Sequence, residues 1–469
     1  MSADVRMSRV LADVRPEPAV PAREGPGQSL ASRMAHYCTP GASIAVIDDF
    51  EVAWARGFGV RHIDGADEVT ARTPFQVASI SKPVFALAVM RLVERGVLDL
   101  DVDVNRYLTS WQVPANGDWR PRITLRQLLS HTAGTTVHGF PGYPASAPIP
   151  TLQQVLDGVP PANTASVIVD MLPGLAFRYS GGGTTIAQLA VTDVMKRPFP
   201  DLMRELILEP VGMVDSTFEQ PLLADVAARA ATAHFWSGMP VAGGSYVYPE
   251  MAAAGLWTTA SDLARLAVVV LRALRGEPSP LLLKPETVAS MVRPQLPDQK
   301  PGQDFVGLGW FCYGKDDDFW FGHQGGNMGF LSEMKLFPAR SKGAVAVVNS
   351  TPGWPLPREI LAAIGREYDW PIAAKPSEPV AVSDGSAYAG SYHNDDGFVF
   401  VVSAATEGLS LAYCEGPPVL IYPTSETEFR ARTVNLDVWF ERSDDGRVSA
   451  MTVVQGGKAI RAIRQAPGA

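Results

Sequence analysis

The hydrophobic pattern of this chain changes period twice before residue 370, and that order leaves few folds open. Gly41 to Ile47 and Glu51 to Val60 are rich in β-formers and are joined by Asp48-Asp49-Phe50, the pattern of a hairpin. A long, mostly helical middle follows, clearest over Lys82 to Gly96, Leu125 to Ser130, Thr184 to Met195, Leu202 to Leu208 and Ser261 to Leu274. Strand-like runs return at Phe305 to Tyr313, Asp318 to Gly322, Phe330 to Phe337 and Gly343 to Asn349, and a helix closes the series at Pro357 to Tyr368. A hairpin at one end and strands at the other combine most simply into one antiparallel sheet flanked by helices, with a helical insertion packed beside it. The expected class is therefore α+β, with an all-β barrel after it.

The barrel follows from a second change of character. Residues 373–385, with two prolines and small polar residues, read as a linker. Beyond it, 386–469 holds short β-rich runs such as Phe398 to Val402, Gly408 to Tyr413 and Val448 to Val454, separated by turn residues. About eight strands at that spacing suit a small up-and-down barrel. Residues 1–28 read as a polar, Pro-rich extension, leaving 29–372 as the main domain. Within it Thr132 to Pro150 is Gly/Pro-rich and aperiodic, the pattern of a functional loop, and reads as a flap over a cleft.

Composition bounds the partners. With 469 residues, 46% hydrophobic and 19% charged, the chain is long and apolar enough for a large core. A net charge of −9 without a Lys/Arg cluster speaks against nucleic acid and anionic membrane as partners. Cys38, Cys312 and Cys414 are too few and too widely spaced for a disulfide framework or a metal site, and no His/Asp/Glu set has ligand spacing, so no metal or cofactor is expected. The first 27 residues lack the apolar core of a signal peptide. Leu263 to Leu274 is interrupted by Arg265 and Arg272, so no span is expected and the location reads as cytoplasmic.

The chemistry concentrates at Ser79-Ile80-Ser81-Lys82. Three residues apart on a helix, Ser79 and Lys82 share one face. A serine hydroxyl is a weak nucleophile until a base removes its proton, which a lysine can do if its surroundings lower its pKa. A second copy of the spacing, Ser332-Glu333-Met334-Lys335, lies in a predicted strand, where residues three apart point to opposite faces and cannot cooperate. Two further motifs support the first. Tyr179, in Arg178-Tyr179-Ser180-Gly181-Gly182-Gly183, can project a phenolic oxygen from a Gly-rich turn into a cleft. In Gly322-His323-Gln324-Gly325-Gly326-Asn327 the glycines leave a strand edge bare, so that an N–H there and that of Ser79 can form an oxyanion hole, with His323 as a donor or positive group. His138, beside Phe140 and Tyr143 in the expected flap, is a further candidate for the cleft. His131 reads as a hydrogen-bonded structural residue, and Asp262 as part of a capping pattern with Thr259.

Taken together, Ser79-x-x-Lys82, Tyr179-Ser180-Gly181 and His323-Gln324-Gly325 resemble the three motifs of the serine β-lactamase-like superfamily, which includes class C β-lactamases, D,D-carboxypeptidases, D-aminopeptidases and family VIII esterases. Leu128-Leu129-Ser130-His131-Thr132-Ala133-Gly134 and Gly255-Leu256-Trp257-Thr258-Thr259 are similar to other phrases of that superfamily. The resemblance covers roughly Gly41 to Trp370, and the last segment resembles the lipocalin-like domain that trails many members. It implies Ser79 as nucleophile, Lys82 as general base, Tyr179 as proton relay, and Ser79 and Gly326 as oxyanion donors. Gly181 stands where many members carry Asn or Ser, and His323 where β-lactamases and peptidases carry a carboxylate-binding lysine. Both departures suit an ester or amide read by shape. The expectation is a carboxylesterase-like hydrolase acting on a small molecule or short peptide. Its rivals are a D-amino-acid-specific peptidase or amidase, a β-lactamase, and a penicillin-binding module that does not turn over; assembly into a homo-oligomer through the barrel is a further possibility.

Overall fold

The computed structural model describes residues 2–16, 27–235, 238–281, 283–296, 304–370, 384–394, 397–405, 408–413, 418–431, 436–443, 445–455 and 458–465. Its contacts divide the chain into two compact units, Met1–Val14 with Gly27–Ala373, and Arg15–Pro26 with Ala374–Ala469. Most of the segment read as a linker, and Cys414, lie outside the described residues.

The first unit is built on a seven-stranded antiparallel sheet. Its strands are β1 (Gly41–Asp48), β2 (Glu51–Gly59), β3 (Phe305–Val306), β4 (Phe311–Tyr313), β5 (Trp320–Asn327), β6 (Phe330–Phe337) and β7 (Lys342–Val348), in the order β2-β1-β7-β6-β5-β4-β3. Ala42 stands opposite Val348 and Ile47 opposite Gly343, so the two ends of the unit meet in mid-sheet and the helical middle is an excursion between them. The expected single strand Phe305 to Tyr313 is instead a hairpin of β3 and β4. Gly309 turns it at φ +81°, and Gly307 N–H bonds Trp310 O at 2.8 Å.

Six helices frame the sheet and position the site: α1 (Ala3–Ala12), α2 (Leu30–His36), α3 (Ser81–Glu94), α4 (Gly181–Met195), α5 (Ala260–Leu274) and α6 (Leu356–Glu367). They cover both faces of the sheet, which is why β1 reads as a continuous apolar run. Ala45 and Ile47 point into the core shared with α3 and α5, while Ala42, Ile44 and Val46 join Leu356, Ile360 and Ile364 of α6. Every residue of α3 from Ser81 to Leu92 is buried, as expected of a helix apolar on all sides. The segment read as an extension contains α1, whose Val10 belongs to the outer core.

The second unit is a closed antiparallel barrel of eight strands in sequential order, Gly390–His393, Val399–Ala405, Gly408–Tyr413, Val419–Pro423, Glu428–Ala431, Leu436–Arg442, Val448–Gln455 and Lys458–Arg464. The first pairs with the last through Tyr392 and Arg464. Alternate residues fill the interior, Phe400 and Val402 inward with Val401 exposed between them, alongside Phe429 and Phe440.

The outer face is pinned by one buried ion pair. Arg33 of α2 donates from Nε and Nη2 to both carboxylate oxygens of Glu359 of α6 at 2.9 and 2.8 Å, and Tyr37 Oη donates to the same carboxylate at 2.6 Å. Removing the acid leaves a buried guanidinium without its partner. Glu359→Ala is expected to lower the unfolding free energy of the first unit by about 3–5 kcal/mol in a denaturant titration; a loss under about 1 kcal/mol would show that water replaces the carboxylate without cost.

Candidate active site

Ser79 lies in a single 3-10 turn, Ala78–Ile80, that runs directly into α3. Ala78 sits at φ +47°, a left-handed conformation costing about 1–3 kcal/mol in a residue with a Cβ. The surroundings hold it there. Val77 N–H donates to Leu256 O at 3.1 Å, Val77 O accepts from Ile80 N–H at 3.1 Å and from Ser332 Oγ at 3.0 Å, and Ser81 Oγ bridges Ala78 O and Leu256 N–H. The second S-x-x-K is thus divided as its strand requires. Ser332 props the turn that carries Ser79, and Lys335 pairs with Glu333 at 3.1 Å.

Lys82, one turn on, is 4% exposed. Its Nζ donates to Ser79 Oγ at 3.0 Å and to Ala253 O at 2.8 Å, and lies 4.9 Å from the centroid of the Tyr179 ring. The carbonyl of Ala253 is thus the second hydrogen-bond partner of Lys82, whereas a Cβ at position 181 would meet Phe140 and His138 O. The segment that presents it is fixed by buried amides: Asn327 Nδ2 donates to Ala254 O at 3.0 Å and to Gln76 Oε1 at 2.8 Å, and Gln188 Oε1 accepts from Ala252 N–H at 2.7 Å. Just upstream, both carboxyl oxygens of Glu250 are buried without a partner, and burial pushes this acid up to about 8.

Tyr179 precedes Ser180, the N-cap of α4, whose Oγ accepts from Gly183 N–H at 2.9 Å and donates to Thr136 O at 2.6 Å. The three glycines form the first turn of the helix rather than a loop. They are bare because the segment read as a flap lies over them. A Cβ on Gly182 would stand 2.8 Å from Thr136 O, and one on Gly181 would meet Phe140 at 2.9 Å and His138 O at 3.2 Å. That segment is a strap tied down along its length, by Gly181 and Gly182 N–H to His138 O and Val137 O, by Tyr248 Oη to Pro141 O, and by the ladder of Tyr143–Pro144 with Tyr246–Val247.

Imidazoles and phenyl rings surround Tyr179. His131 is 4.3 Å away between centroids, His138 4.9 Å, Phe311 6.0 Å and stacked, and His323 6.2 Å. His131 is buried, and its Nδ1 accepts from Ser180 N–H at 3.1 Å, which fixes the tautomer; burial first, then Lys82, holds it well below the ordinary histidine value. His138 is exposed beside the tyrosine. His323 departs from its expected role as a donor or positive group. It is 5% exposed, and its Nδ1–H donates to Gln324 O at 2.6 Å. Burial, and then Lys82, pushes it down to about 3, so the imidazole is neutral and its Nε2 is an acceptor left without a partner.

β4 pairs with β5 only as far as Gly322, so His323 to Asn327 present a strand edge toward the Ser79 turn. The two glycines there differ. Gly325 is buried, and its bareness admits the protein's own Val77 O, 2.1 Å from where a Cβ would stand; it is a point of close packing and not an open binding position. Gly326 is exposed. Sequence reasoning missed Phe311 and Ala253 O, which carry no motif, and the support that Ser332 gives the Ser79 turn; these roles arise only from strand and helix contacts distant in sequence.

The β-lactamase family model matches residues 28–368. The chain belongs to that family. It is 26% identical over 387 residues to penicillin-binding protein 4 of Amycolatopsis lactamdurans, an alignment covering 78% of this chain and 96% of that one. Protein flp of Staphylococcus aureus (strain N315) is 24% identical over 327 residues; the match spans 66% of this chain but only 59% of the staphylococcal protein. Among solved structures, the octameric penicillin-binding protein homologue from Pyrococcus abyssi superposes with a TM-score of 0.60 at 20% identity, over 93% of this chain and 97% of that one, which supports the fold. Among the described residues, no helix is long and apolar enough to cross a membrane, and no group of three or more His, Cys, Asp or Glu could hold a metal ion.

Two outcomes test this geometry. Gly325→Ala must push Val77 O and the Ser79 turn aside and is expected to cost about 1–3 kcal/mol, while Gly139→Ala, with open space around its Cβ, stays within about 0.5 kcal/mol. The unfolded chain takes up the His323 proton near pH 6.5, the folded chain only near pH 3, so the folded state loses stability as pH falls through that window. Between about pH 7 and pH 5 the loss in urea titrations should be shallower for His323→Gln than for wild type; equal slopes would mean the folded imidazole protonates freely.

Proposed function

We propose that the chain is a serine hydrolase that opens an ester or amide bond through an acyl-serine at Ser79, with carboxylesterase-type activity on short acyl esters. The observation that carries this reading is the 3.0 Å contact of Lys82 Nζ with Ser79 Oγ inside a site where Lys82 is buried against Tyr179. Ser79 Oγ bonds to the carbonyl carbon as its proton passes to Lys82. The N–H groups of Ser79 and Gly326 take the oxyanion. Collapse breaks the bond to the leaving oxygen or nitrogen, which receives its proton by way of Tyr179. Water then attacks the acyl carbon, its proton passes to the same pair, and the acid leaves as Ser79 Oγ is reprotonated.

Family membership supports the acyl-serine chemistry, and His323 supports the choice among substrates. A neutral imidazole with a bare acceptor is a poor partner for the carboxylate of a β-lactam or a C-terminal peptide. The name of penicillin-binding protein 4 favours a second reading, acylation at Ser79 followed by slow release. The octamer named for the Pyrococcus abyssi homologue supports a homo-oligomer here as well.

Intact-protein mass after exposure to a fluorophosphonate separates these readings. Wild type is expected to gain one adduct and Ser79→Ala none, with an unchanged melting temperature. Lys82→Ala should label at least about 10³-fold more slowly. Rapid turnover of p-nitrophenyl acetate supports the hydrolase, and a long-lived acetyl adduct supports the slow-release module. An unlabelled, folded wild type would rule out both.

A further inference from the structure

The turn that presents Ala253 O to Lys82 begins at Glu250, an acid for which the acyl-serine reading has no use. Glu250 O accepts from Ala253 N–H at 3.0 Å and from Ala254 N–H at 2.9 Å, closing the one-turn helix Met251–Ala254. The carbonyl at the far end of that turn takes Lys82 Nζ at 2.8 Å. The side chain of Glu250 hangs from the first residue of this device and is fully buried. Among the described residues no donor and no cation reaches either of its oxygens.

The groups packed around the turn do not compensate a charge there. From α3 comes Lys82, committed to Ser79 Oγ and Ala253 O. From α4 comes neutral Gln188, whose Nε2 donates to Pro249 O and whose Oε1 accepts from Ala252 N–H. β5 supplies neutral Asn327, which donates to Ala254 O, and the Ala78–Ile80 turn adds no charged group. The strap supplies Tyr143, and the stretch just upstream supplies Tyr248, whose Oη donates to Pro141 O of the strap at 3.3 Å. Burial first, and then the Glu250 carboxyl, pushes both phenols up, so neither offers a charge that would offset an anion. An ionised carboxylate in this shell is relieved only by reaching water. To reach it, the side chain must pull on the turn at its own backbone or part from Tyr143 and Tyr248, and either movement shifts Ala253 O.

We infer that Glu250 is a positioning residue that acts as a neutral acid: protonated, it lets the turn and the strap hold Ala253 O against Lys82 Nζ, and ionised, it unseats them. This role rests on the lysine–serine pair of the acyl-serine reading. No bond to substrate forms at Glu250; a single proton passes from its carboxyl to solvent as pH rises. Burial pushes that loss from the ordinary 4.5 up to about 8. The unfolded chain releases the same proton near 4.5, so the folded state loses stability as pH rises through that window.

Two measurements on the full chain, wild type beside Glu250→Gln, test this role. Glutamine keeps the shape of the acid and stays neutral at every pH. The first is the rate at which a fluorophosphonate labels Ser79 between about pH 6 and pH 10, each profile scaled to its own value at pH 7. Fluoride leaves without a proton, so the profile does not report Tyr179 as an acid. Wild type is expected to fall about tenfold between about pH 8 and pH 9.5, and Glu250→Gln to hold its rate for at least about one pH unit longer. The second is amide hydrogen exchange of peptides covering 250–256 and 179–184, which needs no activity. At about pH 9 both should exchange at least about threefold faster in wild type than in Glu250→Gln, and the two proteins should coincide at about pH 6.

Coincidence of the two proteins at alkaline pH in either measurement overturns the inference. If Glu250→Gln does not fold, wild type alone decides. Exchange in these peptides that rises between about pH 7 and pH 9 no more than it does in α5 then overturns it. Labelling of Ser79 with coincident profiles removes only the role of Glu250. If Ser79 takes no label at any pH, the acyl-serine reading falls and takes this role with it.

Discussion

A buried amino group has to be given hydrogen-bond partners, and the site is organised around meeting that demand for Lys82. Its Nζ is shared between Ser79 Oγ and Ala253 O, so the two groups must be held at about hydrogen-bond distance from one point by elements far apart in sequence. On one side, Ala78 is kept in a left-handed turn by Val77, Ser81 and Ser332. On the other, Asn327, Gln76 and Gln188 fix residues 252–254. Strand β5 contributes to both sides, through Gly325 under Val77 and Asn327 under Ala254. It acts as the common ruler.

The electrostatic setting follows from the same burial. Around Tyr179 the two buried imidazoles, His131 and His323, are each held below their ordinary value by desolvation and by Lys82, and the buried carboxyl of Glu250 is pushed up. Burial thus drives these titratable groups toward their neutral forms. The mechanism proposed above places proton transfer among Ser79, Lys82 and Tyr179 in these desolvated surroundings, where a change of charge is felt strongly.

Much of this is legible in the sequence because it is periodic or local. The turn from strand period to helix period and back places the ends of the first unit in one sheet, and β1 beside β7 is the form this takes. Ser79 and Lys82 share a helix face by spacing alone, and the division of Ser332 from Lys335 follows from the two-residue repeat of β6. The glycines are harder to read. Residues 181–183 and 325 are bare for a reason no spacing contains, the close approach of the strap in one case and of Val77 O in the other. The same holds for the Phe305 to Tyr313 run, where Gly309 at φ +81° makes a hairpin out of an apparently continuous strand.

The sequence by itself determined the two-part architecture, the pairing of Ser79 with Lys82, and the presence of a tyrosine and a histidine motif further along, since period and local spacing are properties of the chain. Only the tertiary structure decided that the third partner of the site is the carbonyl of Ala253, that His323 is a neutral acceptor and not a positive group, and that Phe311 stacks on Tyr179. Those outcomes depend on desolvation and on contacts between residues more than a hundred positions apart, quantities that no stretch of sequence carries until the chain has folded.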